Sequence, residues 1–208
     1  MFTGKLDQIL CLDIETAPQY PDYKSAPEEL QMLWNRKAEL LKKNENESNE
    51  SIYPRAGIYA EFGKIICISA GCFTKINGIR SFRIKSFSGH DEKKLLQDFA
   101  NMLTQFFSGN QHLLCAHNGK EFDFPFMGRR MLINGIKLPR ALNIAGKKPW
   151  EVNHLDTLEL WKFGDYKHYT KLNLLAHVFN IPTPKDDIDG SMVYKVYYEE
   201  KNLERIVT

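Results

Sequence analysis

The sequence predicts a mixed α/β sandwich, a sheet with parallel and antiparallel neighbours covered by helices. Three observations predict it. Three strand-like segments come first, and the second and third are joined by Asn77-Gly78, a dipeptide that favours a hairpin turn. A helical stripe over 91–107 then leads into a short core strand at 112–116. Further helical patterns follow, so crossovers must return the chain to the sheet.

Residues 8–15 (QILCLDIE) begin apolar and then alternate Leu12, Asp13, Ile14, Glu15, which predicts a strand with a polar carboxyl end, broken at Ala17-Pro18. Leu30, Leu33, Trp34, Ala38 and Leu41 recur at helical spacing within 28–43. The polar run 44–51 (NENESNES) reads as a mobile segment, and 20–60 together as an insertion within one domain spanning 1–208. Residues 64–73 predict a buried strand, and 79–87 a strand alternating Ile79, Phe82, Ile84 and Phe87 imperfectly. Leu95, Leu96, Phe99, Leu103, Phe106 and Phe107 share one helical face, with Asp91 and Glu92 suited to its N-terminus. A helix is expected over 124–134, a loop over 139–151, a short strand over 152–157, and helices over 171–179 and 191–207. The functional edge of such a sheet lies where Asp13-Glu15 and His117-Asn118 leave their strands.

The composition excludes several classes. With 208 residues and 43% hydrophobic content the chain can build its own core, so it is neither disordered nor fibrous. Lys plus Arg number 28 and Asp plus Glu 26, a net charge of +2, so nucleic-acid binding would require local sorting of charge. No window approaches a spanning helix, and the first residues carry acids where a signal peptide would be apolar. Cys11, Cys67, Cys72 and Cys115 sit in apolar runs without a C-x-x-C spacing. They read as buried reduced thiols, which points to the cytoplasm. No zinc-protease or nucleophile-elbow motif occurs, and Gly57 to Lys64 does not meet phosphate-loop spacing.

Asp13 and Glu15, two apart on a strand, leave by the same face. Two carboxylates at the end of an apolar strand repel each other and lose solvation. A divalent cation with a preference for oxygen, Mg²⁺ or Mn²⁺, would offset that cost. The plainer alternative makes Glu15 a solvated strand end and Asp13 a turn cap. A second acid stands far along the chain, in His-Asn-Gly-Lys-Glu-Phe-Asp over 117–123, directly after a core strand. Alone, Asp123 suits a helix N-cap. The conjunction of a strand-end Asp-x-Glu with a later strand followed by His-Asn-x-x-x-Phe-Asp is much rarer.

Asp13-Ile14-Glu15-Thr16 and His117-Asn118 to Phe122-Asp123 resemble the first two motifs of the DEDD superfamily of 3′–5′ exonucleases. The whole chain is similar to the predicted exonucleases that resemble the proofreading domain of family B DNA polymerases. Phe62-Gly63-Lys64-Ile65-Ile66, His154-Leu155-Asp156 and Asp189-Gly190-Ser191 support the likeness. The resemblance implies a ribonuclease-H-like fold and two-metal hydrolysis at the 3′ end of a single-stranded nucleic acid, DNA in the first instance. It implies that Asp13 bridges two Mg²⁺ or Mn²⁺ ions, that Glu15 helps hold one and orients the attacking water, and that Asp123 holds the second. It also assigns Thr16, His117, Asn118 and Phe122 to the substrate, Asn118 and Phe122 positioning the terminal nucleotide. Judged by residue type alone, His117 and His154 suit structural hydrogen bonding. Asp156 suits either an outer-shell place at the site or a strand-end cap.

The superfamily requires a fourth acid with a Tyr four residues before it or a His five before it. Asp156, Asp165, Asp186, Asp187 and Asp189 have neither. Leu203, Ile206 and Val207 form a helical stripe running into the last residues without a stop signal. The expectation is therefore a chain cut short before its last motif, which as it stands binds metal weakly and catalyses poorly. A non-catalytic nucleic-acid-binding module on the same fold is the alternative. Arg129, Arg130, Arg140, Lys147, Lys148, Lys162, Lys167, His168 and Lys171, interleaved with Trp150, Trp161, Phe163, Tyr166 and Tyr169, suit a groove for a single strand, or else an ordinary solvated surface over core aromatics.

Overall fold

Asn77 and Gly78 both take positive φ, 50° and 81°, the left-handed pair that a two-residue hairpin turn needs. They join β2 (Gly63–Ile76) to β3 (Ile79–Ser88). The computed structural model describes residues 5–165, 169–182, 188 and 190–207. Its sheet has the order β3-β2-β1-β4-β5, with β1 at Ile9–Pro18, β4 at Leu113–Ala116 and β5 at Leu155–Asp156. β1 pairs antiparallel with β2 and parallel with β4, and β4 pairs parallel with β5. The expected mixed sheet flanked by helices is the observed one.

Leu10, Leu12 and Ile14 point from β1 into the main core. There they meet Leu95, Leu96, Phe99 and Leu103 of α2 (Glu92–Phe106) and Phe124, Met127 and Met131 of α3 (Asp123–Ile133). The Asp91 carboxylate caps α2 by accepting from the Lys94 amide at 3.0 Å. Phe106 falls outside the buried stripe and is 60% exposed. Ile79, Phe82 and Ile84 are likewise exposed, because β3 is the sheet edge and only Phe87 reaches the core.

The 20–60 segment has its own small core. Trp34 and Ala38 of α1 (Glu28–Glu39) pack on Ile52, Tyr53, Ala56 and Phe62. Leu33 of the expected stripe stays exposed. The polar run 44–51, expected to be mobile, is tied down in the structure. The Trp34 indole donates to the Asn49 carbonyl at 2.8 Å, and Arg55 holds Glu47 at 2.6 Å.

The largest departure concerns the last third. A six-residue helix, α4 (Thr157–Lys162), starts at once after β5. α5 spans Leu172–Val178, as the periodicity requires. The single helix expected over 191–207 is broken into a π-helical turn (Lys195–Glu199) and α6 (Leu203–Val207), with Lys201 at φ 51° between them. Tertiary anchors explain the break: the Tyr194 and Tyr198 hydroxyls donate to the carbonyls of Pro21 and Pro18, and Tyr197 meets His90 Nδ1 at 2.9 Å. Tyr166, Lys167, His168, Asp186, Asp187 and Asp189 lie outside the described residues. All four cysteines are free, but only Cys67 is fully buried. Cys11 and Cys115 are half-buried in register across β1 and β4, on the less covered face of the sheet.

One buried ion pair ties the layers together. Glu92 accepts from Arg130 through Nε at 2.9 Å and Nη2 at 2.5 Å, and from the Ile65 amide at 2.7 Å. Arg130 also donates to the Ala60 carbonyl at 2.8 Å. Arg130 is therefore a structural cation, not a groove residue. Arg130→Met leaves Glu92 charged and buried, and should lower the unfolding free energy by about 3–5 kcal/mol in urea denaturation.

Candidate active site

The pairing of β1 with β4 stops at Cys11, so the β1 amides beyond it on that side need other acceptors. At Ile14 the acceptor is Asp123 Oδ1, 3.2 Å from the amide nitrogen across 109 residues of sequence. Asp123 is the first residue of α3 and makes no side-chain cap; its carboxyl turns to β1 instead. The side chain thus arrives beside Asp13. Alternation puts Asp13 and Glu15 on the face opposite Leu12 and Ile14, Asp13 exposed and Glu15 half-buried. A bulge between Glu15 and Thr16 shifts the register, so Glu15 faces Cys67 and Thr16 faces Ile65.

Asp123 is only 3% exposed. Burial raises its pKa to about 8, the Asp13 charge adds to the rise, and amide hydrogen bonds including that of Ile14 offset only part of it. The folded protein therefore holds a proton on Asp123 that the unfolded chain releases near pH 4.

A turn delivers Asp123 to this place. Asn118 adopts φ 63°, a left-handed conformation that Asn tolerates. Gly119 is required for space, since a Cβ there would stand 2.5 Å from Ala116 Cβ. Asp156 holds the turn from below. Its Oδ1 accepts from the amides of Asn118 and Leu158, both at 2.9 Å, and its Oδ2 from that of Lys120 at 3.1 Å. Asp156 is thus a buried cap for the turn and for α4, and its charge is felt by Asp123. Lys120 reaches Glu159 at 2.7 Å and fastens the same turn to α4.

His117 is occupied on both sides. Nε2 donates to the Thr170 carbonyl at 2.8 Å, and Nδ1 meets the Thr157 hydroxyl at 2.9 Å. Its ring lies edge-on to Tyr169, with centroids 5.8 Å apart. His154 is structural, bonded to the Leu114 amide and the Ala141 carbonyl. Phe122 is half-buried against Phe126, with centroids 5.4 Å apart. Tyr169 belongs to the site more closely than its residue type suggested. Burial raises its phenol pKa, and the charges of Asp123, Asp156 and Asp13 add to that. No spacing rule could have singled it out, because Asn173 rather than an acid stands four residues on.

The basic residues divide. Arg140 is committed to the carbonyls of Ser108 and Gly109. Arg129, Lys147 and Lys171 are exposed, and Lys148 lies over the exposed Trp150 ring, 5.2 Å from its centroid.

Among the described residues no three His, Cys, Asp or Glu side chains form a closed metal-binding group. The donor set nevertheless fits an oxygen-loving divalent ion. A buried carboxyl that resists ionisation beside a second acid is a pair whose repulsion a cation relieves. Mg²⁺ is commonly held by one or two carboxylates with waters and substrate phosphates completing its shell.

This sheet order, flanked by helices and with acids midway along β1 and at the start of α3, defines a mixed α/β domain of ribonuclease-H-like architecture; β1 runs on to Pro18 rather than ending at the acids as the sequence suggested. The chain belongs to the family of predicted 3′–5′ exonucleases related to the exonuclease domain of PolB, whose model matches residues 58–208. Asp123 lies inside that match, while Asp13, Glu15 and Thr16 precede it. The family B DNA polymerase of the hyperthermophilic archaeon Pyrobaculum calidifontis superposes with a TM-score of 0.54 at 16% identity, over 96% of this chain and 22% of the polymerase, a likeness of fold. E. coli exonuclease I in complex with a dT13 oligonucleotide gives a TM-score of 0.46 at 11% identity, over 94% of this chain and 40% of that one. A product-bound exonuclease I gives 0.46 at 10% identity, over 94% and 45%. The chain thus spans less than half the length of each of these proteins. No curated protein matches it in sequence. No helix among the described residues is long and apolar enough to cross a membrane.

Two outcomes follow from the geometry. The Asp123 pKa is raised in the fold, so the stability tied to its proton is complete below about pH 4 and is lost as pH rises through about 8. In chelator, the wild-type melting temperature should fall by several degrees over that window, more steeply than that of Asp123→Asn, and Mg²⁺ should restore it at alkaline pH. Asp156→Ala strands three amides and should lower the unfolding free energy by about 3 kcal/mol or more in urea denaturation.

Proposed function

We propose that the protein is a metal-dependent 3′–5′ exonuclease that hydrolyses the terminal phosphodiester of a single strand, DNA being its substrate. The observation that carries this reading is the convergence of the Asp123 carboxyl with Asp13 midway along β1, in a chain that belongs to an exonuclease family. Mg²⁺ or Mn²⁺ ions, two in the complete site, would supply an activated water and stabilise the leaving 3′ oxygen. Asp13 and Asp123 would hold these ions, Asp123 in its ionised form. Glu15, on the same strand face as Asp13, would complete the ligation and orient the water. Asn118 and Phe122 bind the terminal nucleotide by hydrogen bonding and by ring packing, and Thr16 contacts the same end. His117, fixed by Thr157 and Thr170, acts as a positioning residue for the wall that Tyr169 completes. The four free thiols support a reducing compartment, the cytoplasm.

A second reading is favoured by two observations: no described trio of acids closes around a metal, and no later Asp carries the Tyr or His spacing of the fourth motif. It makes the chain a binding module without catalysis. Digestion of a 5′-labelled oligonucleotide with Mn²⁺ separates the two. The exonuclease yields a ladder shortened from the 3′ end. Asp13→Asn should cut the rate about 100-fold or more while leaving the protein folded and able to bind the strand. Strand binding with no ladder from the wild-type chain, with metal present, would leave the binding module standing.

A further inference from the structure

The sheet face that carries Asp13 continues, strand by strand, onto the exposed β2–β3 hairpin. Asp13 stands opposite Ser69, and Ser69 opposite Ser86, whose hydroxyls lie 2.9 Å apart. Further along the same face Phe82 folds over Gly71, where a Cβ would come within 2.6 Å of its ring, and packs edge-on against Phe73. Lys75 and Arg80 form the next pair on that face, next to the turn. In the other direction the face is closed: Ala17 and Ile66 are covered by Val193, Tyr197 and the apolar side of α6. Towards the hairpin it is open, with Phe82 45% and Ile84 70% exposed.

The charge on this arm is of one sign. Residues 62–90 contain Lys64, Lys75, Arg80, Arg83 and Lys85 and not one Asp or Glu, in a chain whose overall charge is only +2. Two copies pairing edge to edge through β3 would bring these cations together, so the charge opposes a second copy and favours a polyanion. The spacing from Asp13 along β2 to Lys75 is six residues, roughly 20 Å at about 3.3 Å per residue. That is far enough from the carboxylates to meet a strand several nucleotides upstream of its end.

We infer that the β2–β3 hairpin is the docking arm for the upstream part of the single strand, with Lys75 and Arg80 contacting its phosphates and the exposed Phe82 ring stacking a base. The inference rests on the exonuclease reading for the identity of the strand, and it adds a surface outside the acidic site. Exposed aromatic rings flanked by cations are how single strands are bound without regard to sequence.

Lys75→Glu with Arg80→Glu tests it, because the edge stays charged and protected while its sign is reversed. The charge-matched control is Arg36→Glu with Lys43→Glu on the 20–60 segment. Binding of an end-labelled oligothymidylate of about a dozen nucleotides is followed by fluorescence anisotropy over a salt series, in chelator and again with Mg²⁺. The hairpin variant should bind at least ten-fold more weakly than the control at low salt. The slope of its log affinity against log salt should be shallower by about 1.4, roughly 0.7 for each lost phosphate contact. A strand of about three nucleotides, too short to reach the hairpin, should bind all forms alike. Equal affinity and slope for wild type and hairpin variant would overturn the inference and leave the exonuclease reading intact. So would an equal loss in the control, which would assign the effect to overall charge. A change in oligomeric state by sedimentation with strand binding unaltered would give the arm to a second copy. A wild-type protein that binds no strand in either condition would remove both the inference and the reading beneath it.

Discussion

The Ile14 amide is the point on which the site is hung. β4 covers only the first residues of β1, and an unpaired buried amide is too costly to leave. Asp123 satisfies it, and in doing so brings its carboxyl out of water and beside Asp13. That hydrogen bond fixes where the Asp123 carboxyl sits, and the burial that comes with the place raises its pKa. The same contact explains why Asp123 does not cap its own helix: a side chain has one place to be, and the middle of β1 claims it.

Everything around this contact serves to hold the turn that carries Asp123. Asp156 gathers three amides from two elements, so that β5, only two residues long, is fixed by its last side chain as much as by its ladder. Asn118 and Gly119 divide the work that a turn asks for, one taking the left-handed backbone and the other leaving room for Ala116 and Phe124. On the far side of the sheet the Glu92–Arg130 pair joins α2, α3, β2 and the 20–60 segment, so that the insertion is locked to the core rather than appended to it.

The two faces of β1 divide the molecule's tasks. The Leu10, Leu12, Ile14 side is a dry helix-covered core, and the Asp13, Glu15 side is left accessible. The covering layer on that side is incomplete among the described residues, so water reaches Asp13. The small cluster of Ile66 with Tyr197 and α6 closes one end of it, and the hairpin leaves the other open.

Local pattern determined much of this. The hairpin at Asn77-Gly78, the capped stripe of α2, the short core strand before His117 and the approximate limits of α3 and α5 all follow from turn chemistry and periodicity, which act over a few residues. The placing of Asp13 and Glu15 on one strand face was legible for the same reason. Long-range contacts decided the rest. The break of 191–207 into two pieces comes from tyrosines anchored to Pro18 and Pro21, and the role of Asp156 from amides 36 and 38 residues earlier. Arg130 and Arg140 drop out of the cationic set read from the sequence because buried or backbone partners take them, and Tyr169 lies near enough to the acids to feel their charge. A sequence displays which groups want partners; only the folded sheet fixes which partners are within reach, since hydrogen bonds and desolvation depend on distances that no local spacing encodes.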